Sequence, residues 1–89
     1  MEIRPYKEMT EDEFSSSTYT KELIFENNKC KVFWGHANFG QVASSSCIWA
    51  KTNEETSYHC YIVETPIYID SEDDKQSLRE SAEQLINIL

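Results

Sequence analysis

Residues 57–89 read SYHCYIVETPIYIDSEDDKQSLRESAEQLINIL, and within this stretch the apolar period changes from two to about 3.6 residues. In 57–64, Tyr58, Cys60 and Ile62 alternate with His59, Tyr61 and Val63, which predicts a strand with two different faces. Pro66 has no N–H for a ladder and marks a break or an edge, so Ile67-Tyr68-Ile69 read as a short fifth strand. Ser71 and Asp74 then stand at capping-box spacing, Glu72 and Asp73 fill the first turn, and Leu78, Ala82, Leu85, Ile86 and Leu89 form one stripe at helical period. Burying each large member of that stripe is worth roughly 1.5–3 kcal/mol, enough to dock the helix on one sheet face.

Working outward, residues 41–51 predict a third strand, with Ser44-Ser45-Ser46 at its middle, Cys47, Ile48 and Trp49 beyond, and a turn at 53–56. Further back, Leu23, Ile24 and Phe25 precede Asn27-Asn28, and Cys30, Val32, Phe33 and Trp34 follow. This reads as a hairpin, since Asn tolerates the left-handed backbone of tight turns. Alternation puts Leu23 with Phe25 on one face, and Val32 with Trp34. Both glycines fall in 35–40, which predicts an irregular loop around Phe39. Near the start, Thr10-Glu11-Asp12-Glu13 is a capping box for a helical turn through Phe14, ended by Ser15-Ser16-Ser17. The expected fold is therefore α+β and one domain over 1–89. An antiparallel meander of four to five strands carries a C-terminal helix on one face and a short N-terminal helical turn, and its other face stays partly bare.

Charge is the least average property: the net value is −8 over 89 residues. Its distribution tells more, with −4 in 1–26, +1 in 27–63 and −5 in 64–89. Such a surplus argues against direct contact with nucleic acid or anionic membrane, where phosphates need Lys or Arg, and favours a basic protein partner. No apolar run is long enough to span a bilayer and the start lacks a signal peptide's apolar stretch, so a cytoplasmic location is expected (host cytoplasm if phage-encoded). Three cysteines, Cys30, Cys47 and Cys60, are an odd number without an export signal and read as free buried thiols.

Motifs for chemistry are missing. No CxxC or HxxxH pair offers zinc ligands, and neighbouring strand residues such as His59 and Cys60 point to opposite faces. No cysteine sits at a predicted helix start, no serine lies in a glycine-flanked elbow, and two glycines cannot make a phosphate loop. The expectation is a non-enzyme with no cofactor and no metal. Phe33, Trp34, Trp49, Tyr58 and Tyr61 could form a stacking platform for single strands, but lysines are few around them and core packing accounts for most of these rings.

What remains is the acidic surface. Glu8, Glu11, Asp12 and Glu13 make one cluster, and Asp70, Glu72, Asp73 and Asp74 make another, although acids in a first helical turn also serve the helix dipole. If both clusters project from one side, they would present carboxylates to a basic groove much as phosphates do. The expected function is to bind and inhibit or neutralise a basic, nucleic-acid-binding protein such as a host nuclease. Phage counter-defence proteins, immunity proteins and nuclease inhibitors share this size and charge; the comparison extends no further. The alternative is a homo-oligomeric or scaffold module, a homodimer for example, that associates through the bare sheet face. Trp34, Trp49 or Phe39 would then be its anchors.

Overall fold

Five long strands form one antiparallel sheet in the order β1-β5-β4-β3-β2. They are β1 (Ile3–Thr10), β2 (Thr20–Glu26), β3 (Cys30–Phe39), β4 (Val42–Thr52) and β5 (Ser57–Val63), with α1 (Glu11–Ser16) between the first two. A two-residue β6 (Ile67–Tyr68) pairs with the start of β4, and α2 (Glu72–Ile86) closes the chain. The computed structural model describes residues 2–87, and of residues 38, 39 and 44 the backbone alone. The expectation placed on Phe39 as an anchor, and the last stripe position Leu89, therefore fall outside the described residues.

The meander from β2 to β5 and the C-terminal helix match the reading of the sequence. The strand β1 does not appear in that reading. Its residues are largely exposed, Pro5 lacks a donor, and the register skips Tyr6 between Pro5 and Lys7. Nothing in 3–10 alternates strongly enough to predict a strand; the pairing is supplied by the open edge of β5.

The two sheet faces carry separate cores. Val32, Trp34, Ile48, Ala50 and Val63 lie under Leu78 and Ala82 of α2. Cys47, Trp49, Tyr58 and Cys60 lie on the opposite face under Phe14 of α1. Phe14 stacks on Tyr58 with ring centroids 4.1 Å apart and meets Trp49 edge-on at 5.2 Å. The face expected to be bare is thus roofed over β1 and β5 by the helical turn.

Four local details depart from the sequence reading. A bulge between Leu23 and Phe25 breaks alternation in β2: Ile24 and Phe25 both pack on the α2 side, while Leu23 turns outward and is 46 % exposed. Gly35 belongs to β3, not to a loop; a Cβ there would stand 2.0 Å from Trp49, whose indole lies across the strand. Gly40 alone takes the turn, with φ at +70°, in the two-residue connection between Phe39 and Val42. Asn27 shapes the β2–β3 turn through its side chain, accepting from the Lys29 and Cys30 amides at 2.8 and 2.9 Å; among the described residues no non-glycine has a positive φ.

Candidate functional site

The capping box expected at Thr10 is complete. The Thr10 hydroxyl accepts from the Glu13 amide, and the Glu13 carboxylate accepts from the Thr10 amide, each at 3.2 Å. That backbone bond, and then Lys7 3.3 Å away, hold the Glu13 carboxyl below the usual range. Glu11 faces the Tyr58 hydroxyl; burial, and then this carboxylate, push that phenol up to about 12. Two of the three acids of α1 are therefore engaged within the fold, and only Asp12 stands clear as an exposed side chain without such a tie.

At the start of α2 only half of the expected capping box forms. The Ser71 hydroxyl accepts from the Asp74 amide at 3.2 Å, while the Asp74 carboxylate accepts from the Tyr68 amide at 2.9 Å and pins the helix to β6. Asp70, Glu72 and Asp73 remain exposed. Since α1 and α2 lie on opposite faces, Glu11, Asp12 and Glu13 do not share a side with Asp70, Glu72 and Asp73; of the first cluster Glu8 alone turns to the α2 side, and the joint patch that the sequence left open does not form as a whole.

Register explains where the rest of the charge goes. Lys7 pairs with Cys60, Lys21 with Gly35, and Lys31 with Lys51; Arg4 pairs with Ile62. All of these positions project to the α1 side, where Lys7 meets Glu13, Lys31 meets Glu26 at 3.6 Å, and Lys51 lies 5.7 Å above the Tyr58 ring. Glu8, opposite His59, and Glu22, opposite Trp34, project to the α2 side. There they join Asp70, Glu72, Asp73, Glu80 and Glu83, with only Lys75 and Arg79 of α2 to offset them. The net negative charge is therefore concentrated on one side of the molecule. This asymmetry could not be counted from composition; it needs the strand register.

The aromatic candidates are redistributed as well. Trp34 is wholly buried beneath α2 and Trp49 is 1 % exposed beneath α1, so neither indole reaches a partner. Their burial follows from the sheet, which has a covered face on each side. Trp34 and Tyr61 lie on one face, Phe33, Trp49 and Tyr58 on the other, and no single stacking platform results.

The sequence brought His59 up only in weighing cysteine chemistry and did not join it to Glu55 or Glu8. His59 lies between two carboxylates, with Nε2 2.6 Å from Glu55 and Nδ1 3.9 Å from Glu8. Glu55 also accepts from the Thr52 amide at 3.1 Å and its hydroxyl at 2.9 Å. Burial disfavours the charged Glu55, yet the bonds from His59 and Thr52 outweigh it and hold the carboxyl low. These residues edge an open cleft of about 720 Å³ between the β2–β3 and β4–β5 turns, where Asn53 bonds the backbone of Asn28 and Lys29. Both ring nitrogens already face carboxylates. Among the described residues no group of three or more His, Cys, Asp and Glu is placed to hold a metal, and no helix is long and apolar enough to cross a membrane. No family model, no curated protein and no solved structure matches this chain.

Proposed function

We propose that this protein is a non-catalytic binding module whose α2 side docks on a basic surface of a protein partner and neutralises it. A cytoplasmic, nucleic-acid-binding protein such as a host nuclease has the required chemistry, and a phage counter-defence or nuclease-inhibitor role follows from that pairing. The observation that carries the reading is the segregation of charge: the sheet's lysines turn to the α1 side, and exposed carboxylates line α2. An anionic side of this kind steers a cationic partner from a distance and selects against anionic ones.

The test uses the full chain as bait in its native host, with low- and high-salt washes. Replacing Asp70 and Asp73 by Asn and Glu72 by Gln should weaken capture about tenfold and flatten its salt dependence, taking each rim charge at about 0.5 kcal/mol. Replacing Glu11, Asp12 and Glu13 by amides should alter it far less. Equal effects from the two sets would reject the one-sided surface.

Self-association remains a second reading, because Leu23 stands exposed on the edge strand β2 beside Phe33, beyond the cover of α1. Size-exclusion with light scattering separates the two. A salt-insensitive dimer lost on Leu23→Lys favours self-association.

A further inference from the structure

The register sets Glu8 of β1 opposite His59 of β5 on the α2 side, with the uncharged Ala50 beyond them on β4. The β4–β5 turn brings Glu55 to the other edge of the ring. Oε1 of that carboxylate accepts from the Thr52 amide and hydroxyl, which leaves Oε2 for His59 Nε2 at 2.6 Å. An ionised carboxylate only accepts, so Nε2 must carry a proton. The neutral ring has no second proton, and its Nδ1 lone pair then faces the Glu8 carboxylate 3.9 Å away. Only the imidazolium offers an N–H to both acids. Glu54 and, from the β2–β3 turn, Lys29 line the same cleft, and Tyr61 lies two residues along β5 on the same face. Lys7 and Lys51 turn to the α1 side, toward Glu13 and Tyr58.

We propose that His59 is a proton-operated clasp that fastens the edge strand β1 to the β4–β5 turn. Protonated, the ring bridges Glu8 and Glu55; deprotonated, it keeps Glu55 and lets Glu8 go. The release is one-sided because Thr52 fixes Glu55, whereas the Glu8 side chain stands exposed on the edge strand. Histidine changes charge between about pH 5 and 8, a range in which both carboxylates stay ionised. The clasp therefore contributes on the acid side of that range and is lost as pH rises. Strand β1 is where one such contact counts. It is largely exposed, irregular at Tyr6 and paired along one edge only, so it belongs to the part of the sheet that opens most readily.

The full chain, labelled with nitrogen-15, is compared by NMR at about pH 5.5 and about pH 8. Ring spectra should show both His59 nitrogens protonated at the lower pH and Nε2 alone protonated at the higher. Protection factors of the β1 amides bonded to β5, taken relative to those of β3, should fall about two- to fivefold from the lower to the higher pH, the worth of one exposed ion pair. His36 also faces a carboxylate, Glu22 at 4.0 Å, so the variant Glu8→Gln assigns the effect. It should keep the His59 tautomer and lose the pH dependence in β1, and His59→Gln should lose that dependence too. A proton on Nδ1 at the higher pH, equal β1 protection at both, or a pH dependence that survives Glu8→Gln overturns the proposal.

Discussion

At the residue scale, single atoms decide what each position tolerates. Gly35 has its place because the Trp49 indole crosses the strand where a side chain would start. Gly35→Ala is expected to cost about 1–3 kcal/mol, since the ring cannot move without disturbing Phe14 and Tyr19 packed against it. Urea unfolding measures this, and an unchanged midpoint would show that the indole has somewhere else to go. Glu55 gives a pH signature. Its carboxyl is held low in the folded state, so its contribution is complete above the unfolded value of about 4.3 and is lost as pH falls through the folded value. Glu55→Gln should therefore lower stability at neutral pH and shrink the further loss between neutral pH and about pH 3. A variant with the same acid profile as the parent would remove the His59 and Thr52 contacts from that account. Neither effect was legible in the sequence: Gly35 looked like loop because its constraint is the Trp49 ring of another strand, and Glu55 looked like a turn acid because its bonds to Thr52 and His59 depend on how the β4–β5 turn folds back.

At the element scale, the two helices differ in how they are held. The turn α1 has only six residues and relies on its cap and on Phe14. Thr10→Ala removes the hydroxyl that accepts from Glu13 and should cost about 1 kcal/mol, seen as a lower unfolding midpoint and faster exchange of the amides at 13 and 14. The helix α2 is held by packing. Leu78 is wholly buried, and Leu78→Ala should cost about 2–5 kcal/mol in the same unfolding measurement. A loss under 1 kcal/mol would mean that α2 is loosely docked. Capping boxes and the apolar stripe made both elements readable in advance, since those signals are local. The strand β1 was not readable, since what makes it a strand is the vacant edge of β5, some fifty residues away in sequence.

At the scale of the whole molecule, the charge map depends on which face each strand residue takes. Charge alone gave two acidic ends and a neutral middle. Register adds that the sheet's cations collect with α1 and the uncompensated acids with α2, so the asymmetry along the chain becomes one across the sheet. Covering both faces also removes Trp34 and Trp49 from the surface, where Tyr6, Leu23 and Tyr68 are the large apolar side chains left exposed. The sequence by itself determined the fold class, the meander and the C-terminal helix, because periodicity and caps are written in neighbouring residues. Tertiary structure alone decided the first strand, the split of the α1 and α2 acids between two faces and the burial of Trp34 and Trp49 on opposite sides, because each depends on register between distant segments, and a bulge of one residue reverses what faces out.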